Sequence, residues 1–179
     1  MPEAIKIPPP VSMKLWITGL FRKVFFVKIA IGCDHAGFGL KEEVIGLLSG
    51  LGMEIVDCGT NTTASVDYPD FGEKVSGLVS SGEIEKGILI CGTGIGMSMV
   101  ANKFPNVRAS LCNDLFTARM SRMHNDANIL VLGGRIIGKD LAAEIVKVWL
   151  STPFEGERHM KRLNKIKKIE ETINSHGNR

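Results

Sequence analysis

Ile88-Leu89-Ile90-Cys91-Gly92-Thr93-Gly94-Ile95-Gly96-Met97-Ser98 is the stretch on which the reading of the whole chain turns. An uncharged apolar run ends in a cysteine, and glycines at alternate positions then lead into a helical pattern. A short apolar run unbroken by charge suits a strand covered on both faces. Glycines let backbone amides approach an anion closely, and a helix start adds partial positive charge. Two nucleotide loops are excluded: Met97 stands where GxGxxG needs its third glycine, and no GK[ST] follows. Asp114 lies at a dinucleotide-like distance downstream, which is weak support by itself. A cradle for a sugar oxyanion or phosphate fits better, with a plain tight turn as the alternative.

The same strand-then-helix pattern recurs on both sides of this stretch. Further apolar runs are Val27–Gly32, Glu54–Asp57, Arg108–Cys112 and Ile129–Leu132, beside Gly87–Cys91. Between them Leu40, Val44, Leu47, Leu48 and Leu51 recur at helical spacing, and Pro69 marks the start of a helix carrying Val75, Leu78 and Val79. Met97–Lys103 continues the glycine loop, Asp114 is placed to cap Leu115–Met123, and Leu141–Leu150 and Glu157–Ile173 complete the set. Such alternation predicts an α/β fold, a three-layer doubly wound domain with a five-stranded parallel sheet, Rossmann-like or flavodoxin-like. Ligands of these folds bind beyond the carboxyl ends of the strands. Cys33-Asp34-His35, Cys58-Gly59, Cys91-Gly92-Thr93 and Cys112-Asn113-Asp114 all fall there.

The composition excludes other classes. Of 179 residues 44% are hydrophobic and 23% charged, as in a globular domain. A net charge of +3, without a basic aromatic surface, gives no footprint for nucleic acid. The four cysteines, at 33, 58, 91 and 112, form no CxxC pair and no disulfide framework, which points to the reducing cytoplasm. Residues 1–26 read as an extension outside the domain, which then runs over residues 27–179. Pro8-Pro9-Pro10 cannot be helix interior. The apolar Leu15–Phe26 is broken by Arg22-Lys23, well short of the ~20 residues of a membrane span, and the order is wrong for a signal peptide.

Several groups near the strand ends bear chemistry. Cys91 opens the glycine loop, where donors favour a thiolate that can act as a base; Cys58 and Cys112 read as packing, and Cys33 is open because it adjoins Asp34. Asp34-His35 either contacts sugar hydroxyls or forms a polar turn. Tyr68 in Asp67-Tyr68-Pro69-Asp70 is the single tyrosine and either reaches ligand or packs. His124-Asn125-Asp126 precedes the fifth strand, and its histidine exchanges protons near neutrality. Arg158 and Arg162 share a helix face and suit a phosphate dianion, with Met160, Leu163, Ile166, Ile169 and Ile173 expected as that helix's buried stripe. Arg135 after Gly133-Gly134 is a further phosphate candidate. For the arginines the alternative is an ordinary solvated basic surface.

Ile31–Gly37, Asp67-Tyr68-Pro69, the Cys91–Ser98 loop, Ala101-Asn102-Lys103, His124–Asn128 and Gly156-Glu157-Arg158-His159 occur in that order. Together they resemble the type B ribose-5-phosphate isomerases, a family that also holds galactose-6-phosphate isomerase subunits, over roughly Val27 to Glu171. The resemblance implies a cytoplasmic aldose–ketose isomerase passing through an enediolate. Some members use a glutamate later in the loop; Met97 and Ser98 stand there, so Cys91 would be the base moving the proton between C1 and C2. His124 would assist opening of the furanose ring. Amides from Gly92 through Gly94 and Ile95 to Gly96, with Thr93, would meet the oxyanion. Asp34, His35, Tyr68 and Asn125 would orient hydroxyls, and Arg135, Arg158 and Arg162 would hold phosphate.

The family implies no metal and no cofactor, and sites built at the interface of a homodimer, with a tetramer as a larger form. Three rival readings remain from sequence: an isomerase of a six-carbon sugar phosphate, a non-catalytic sugar-phosphate binder, and a nucleotide module. Neither nucleic acid nor membrane is an expected partner.

Overall fold

The computed structural model describes residues 27–176, so the expectation for residues 1–26 lies outside the described residues. The strands are β1 (Lys28–Cys33), β2 (Glu54–Asp57), β3 (Lys86–Cys91), β4 (Ala109–Leu111) and β5 (Ile129–Gly133). The helices are α1 (Phe38–Gly50), α2 (Tyr68–Ser80), α3 (Ile95–Ala101), α4 (Leu115–Asn125), α5 (Lys139–Ser151) and α6 (Glu157–His176). All strands pair in parallel, in the order β2-β1-β3-β5-β4. The doubly wound expectation holds, with the last two strands exchanged relative to a simple outward progression.

Right-handed crossovers explain the layers. The chain steps one way from β1 to β2 and the other way from β2 to β3, so α1 and α2 fall on opposite faces. One apolar core joins Ile29, Ile31, Ile88, Ile90, Leu130 and Leu132 to Leu40, Val44 and Leu48 of α1 and to Ile145 and Trp149 of α5. The other joins Ala30, Leu89, Ile129 and Val131 to Val75 and Val79 of α2 and to Met97 and Ala101 of α3. Alternate residues of β1, β3 and β5 thus feed opposite cores, which is why these strands read as continuous apolar runs.

Local signals behave as expected at α2, where proline sits in the first turn after Asp67. At α4, Asp114 Oδ1 accepts from the Thr117 amide at 2.7 Å. Two expectations need correction. β4 spans Ala109–Leu111, one residue shorter at each end than Arg108–Cys112, although the Arg108 carbonyl and the Cys112 amide still bond to the β5 segment. The stripe on α6 is not buried: Met160, Ile166, Ile169 and Ile173 are 44–65% exposed. α6 lies alongside the segment before β4, where the Asn106 amide donates to Glu170 at 3.1 Å, but among the described residues nothing covers most of its apolar face.

The outer side of β4 is closed by a side chain. Asn102 Oδ1 accepts from the Ala109 amide at 3.0 Å, and its Nδ2 donates to the Ala109 carbonyl at 3.0 Å. Asn128 acts similarly on the approach to β4, accepting from the Arg108 amide at 2.8 Å and donating to the Asn106 carbonyl at 2.8 Å.

One buried charge lies beneath the strand ends. Lys41 of α1 has a side chain 1% exposed; its Nζ donates to Asp57 Oδ2 at 2.6 Å and to the Thr60 carbonyl at 3.1 Å. Burial pushes its pKa down, but Asp57, Cys33 and Glu42 outweigh that and hold it above 10.5. The folded value exceeds the unfolded one, so this stabilisation is complete below pH 10.5 and fades as pH rises through the folded value. Asp57→Ala is expected to cost about 1.5–3 kcal/mol, the worth of a hydrogen bond to a charged group. Urea denaturation at pH 7 and pH 9 should give the same loss.

Candidate active site

Because every strand runs the same way, the sheet has an exit edge and an entry edge. β1 and β3 are neighbours whose outgoing connections leave in opposite directions, and a crevice opens between their exits. Asp34 follows β1 there, and Cys91 ends β3. The β5 exit is bound to the same place: the Gly134 amide donates to the Cys91 carbonyl at 2.8 Å, and the Arg135 amide to the Gly92 carbonyl at 2.9 Å. The Arg135 side chain lies over Gly92, its Cδ 3.6 Å from where a Cβ would stand.

Cys91 is buried, and its sulfur accepts from the Gly94 amide at 3.2 Å. Gly94 has φ +80°, a left-handed conformation that aims this amide, and a Cβ there would collide with the Leu111 side chain. Thr93 is exposed, and its Oγ1 accepts from the Ile95 amide at 3.4 Å. α3 has only seven residues, so the oxyanion cradle rests on loop amides more than on a helix terminus. The Tyr68 ring lies against Gly96: a Cβ there would be 2.6 Å from Tyr68 Cζ and 3.1 Å from its hydroxyl. This explains the third glycine and places the tyrosine at the loop.

Asp34 Oδ1 accepts from the amides of Ala36 and Gly37 at 2.9 and 3.0 Å, so this oxygen forms the polar turn, while Oδ2 takes no part in it. His35 Nδ1 accepts from the Val66 amide at 3.2 Å, which puts its ring proton on Nε2. The other thiols differ from Cys91 in their surroundings. Burial pushes Cys33 up to about 11 and raises Cys58 and Cys112 as well. All three stay protonated at neutral pH, in keeping with packing roles.

The remaining candidate residues lie elsewhere. α4 runs back across the sheet against the strand direction and delivers His124 and Asn125 to the entry edge. There the Asn125 carbonyl accepts from Arg108 Nε at 3.1 Å, just before β5 begins. α6 packs on α4 and carries Arg158 and Arg162, both exposed, to the same edge. β5 alone separates the two edges by roughly 17 Å at ~3.3 Å per residue. One chain therefore gathers Asp34, His35, Tyr68, Cys91 to Gly96 and Arg135 at the exit edge, and His124, Asn125, Arg158 and Arg162 at the entry edge.

From sequence, His159 had a place in the Gly156-Glu157-Arg158-His159 match but no role, and Glu155 had neither. The His159 ring stacks on His124 with centroids 4.2 Å apart and planes 8° from parallel. Glu155 Oε2 is 3.2 Å from His159 Nε2 and 3.9 Å from His124 Nε2. Donor atoms of these three residues lie within 4.8 Å of one another. Near-parallel rings send their in-plane lone pairs side by side, so one ion cannot lie in both planes, and the arrangement does not fit a coordination shell. The signal in the sequence was Gly156, which turns the chain so that His159 reaches back.

An amide-lined loop opening on a thiol suits an enzyme that moves protons on an anionic substrate, not a nucleotide carrier. Comparison with known proteins carries this further: residues 29–166 match the family model described as Ribose/Galactose Isomerase, and the chain belongs to that family. Ribose-5-phosphate isomerase B of Escherichia coli is 46% identical over 147 residues, 82% of this chain and 99% of the relative. The structure of ribose-5-phosphate isomerase B from Clostridium thermocellum superposes with a TM-score of 0.80 at 53% identity, covering 82% of this chain and 99% of that one. A 4-deoxy-4-sulfo-D-erythrose isomerase from a Clostridium species is 45% identical over 129 residues, 72% of this chain and 81% of the relative.

Gly94→Ala forces a side chain into the left-handed region and against Leu111. It is expected to cost about 1–3 kcal/mol in chemical denaturation and to abolish most isomerase activity, since the amide at the Cys91 sulfur moves.

Proposed function

We infer that this chain interconverts ribose 5-phosphate and ribulose 5-phosphate through a cis-enediolate. Membership of the Ribose/Galactose Isomerase family supports an isomerase of sugar phosphates, and the amide-contacted thiol of Cys91 carries the mechanistic reading. Ribose 5-phosphate must first open its furanose ring, with His124 exchanging the proton. Cys91 as thiolate then takes the proton from C2, the loop amides from Gly92 to Gly96 meet the charge on oxygen, and the proton returns at C1. Thr93 assists those amides, Asp34, His35, Tyr68 and Asn125 orient hydroxyls, and Arg135, Arg158 and Arg162 face the phosphate. None of these steps calls for a metal or cofactor.

A second copy completes the site in this reading. The exit edge of one chain takes His124, Asn125, Arg158 and Arg162 from the entry edge of its partner. Supporting this, Ile95, Met99, Phe116 and Ile136 stand 50–71% exposed around the exit edge, and Ile166, Ile169 and Ile173 stand exposed on α6. A homodimer is the smallest assembly that answers both needs, and a tetramer would repeat it. No helix among the described residues is long and apolar enough to cross a membrane. The cysteines, all free, suit the cytoplasm.

Cys91→Ser should slow isomerisation by roughly 10²–10⁴, the contribution of general acid–base catalysis, and His124→Ala should slow ring opening. Mixing the two inactive proteins under subunit exchange should restore part of the activity, because one site of each mixed pair is intact. No recovery despite exchange would place the whole site in one chain. Assays with ribose 5-phosphate, allose 6-phosphate and galactose 6-phosphate, with and without chelator, test the substrate. A preference for a six-carbon sugar would overturn the pentose assignment.

Arg158→Ala and Arg162→Ala should each raise KM by the equivalent of about 1.5–3 kcal/mol with a smaller change in kcat. A KM equal to the parent's would make them surface charges.

A further inference from the structure

α5 ends at Ser151, and the chain then returns to the last turn of α4, where the Glu155 amide donates to the Met123 carbonyl at 3.1 Å. Gly156 (φ +73°) and Glu157 (φ +41°) follow in the left-handed region, one of them without the freedom of glycine. This double turn starts α6 so that His159 lands flat on His124, with centroids 4.2 Å apart and planes at 8°. His159 is 3% exposed, whereas the His124 side chain is 36% exposed. The inner ring is a fixed plate and the outer ring presents its free face and edge to whatever approaches.

His159 is suited to act as such a plate because it stays uncharged. Burial, then His124, Arg158 and Arg162, lower its pKa against the opposing pull of Glu155. Its Nε2 lies 3.2 Å from Arg158 Nε and 3.2 Å from Glu155 Oε2. A neutral ring accepts from the Arg158 guanidinium through this nitrogen, which then has no proton to give Glu155, so Arg158 is tied to the same plate. Two charged imidazoles at this spacing would repel, and a neutral inner ring removes that repulsion when His124 takes a proton.

We propose that His159, seated by the Glu155-Gly156-Glu157 turn, is a positioning residue that fixes the plane of the His124 imidazole for opening of the furanose. The proposal rests on the reading above that His124 performs ring opening. It assigns a role to a side chain that would not itself touch the sugar, and to a strained turn that otherwise has none.

The substrates allow a selective test. Ribose 5-phosphate closes through O4 onto C1. In ribulose 5-phosphate the carbonyl is at C2 and O5 carries the phosphate, so no five-membered ring can form and the sugar stays open. Wash-in of solvent deuterium at C1 of ribulose 5-phosphate therefore reports proton transfer without ring opening, whereas consumption of ribose 5-phosphate needs both.

For His159→Ala the expected result is a fall in kcat for ribose 5-phosphate of up to ~10²-fold, the cost of a misplaced catalytic group, with deuterium wash-in near the parent's rate. His159→Phe keeps a flat neutral ring and should recover most of the kcat. His124→Ala should show the same selective loss. If His124→Ala loses ring opening selectively but His159→Ala is unaltered, the positioning role is overturned while the role of His124 stands. If His159→Ala loses wash-in and consumption in equal measure, or if His159→Phe is as slow as His159→Ala, the residue supports the fold or acts by hydrogen bonding, and the proposal fails. If His124→Ala loses both activities equally, or neither, the underlying reading of His124 falls, and this proposal with it.

Discussion

A parallel strand can be followed by its neighbour only after the chain has travelled back across the sheet, and this return governs the molecule. It places every strand exit on one edge and every helix end on the other. The bonds from Gly134 and Arg135 to the carbonyls of Cys91 and Gly92 extend the β3–β5 ladder past its last residues. They lock the thiol, its glycine loop and Arg135 into one rigid rim. The same return through α4 carries His124 to the far edge. The candidate residues are divided by the topology itself, and no rotamer change within one chain can bring them together.

Much of this was written in local patterns. Apolar runs marked the strands because β1, β3 and β5 are covered on both faces, and Asp114 announced its helix because an N-cap needs only the residues beside it. Cys91, Gly94 and Gly96 stood out because the demand on each is local: a strand end, a positive φ, and room for the Tyr68 ring. What the sequence concealed depends on distant pairings. The His124–His159 stack joins residues far apart in the chain, and nothing at either position foretells it. The apolar stripe on α6 had the spacing of a buried face, but spacing cannot say whether a covering surface exists in the same chain. The division of the site was implicit in the alternation of elements, although grouping residues by chemistry hid it.

The ground beneath the site is unusually polar for a parallel sheet. Lys41, in the first turn of α1, binds Asp57 and the Thr60 carbonyl and so ties α1 to the exit of β2. Cys33 sits beside this ammonium as a protonated thiol, since burial outweighs the attraction of the charge. A charge placed here costs desolvation, which its bonds to Asp57 and the Thr60 carbonyl offset.

The side chain of Asn102 has a consequence beyond the site. An open sheet edge offers unpaired amides and carbonyls to any passing strand and so acts as a template for aggregation. By filling both outward backbone groups of Ala109 with its own carboxamide, Asn102 occupies the place where an intruding strand would dock. At the opposite border β2 carries Glu54 and Asp57, and Lys28 pairs with Glu54 at 2.8 Å. Charge discourages addition there, and one amide blocks it at β4, so the sheet can remain open without becoming adhesive in a crowded solution.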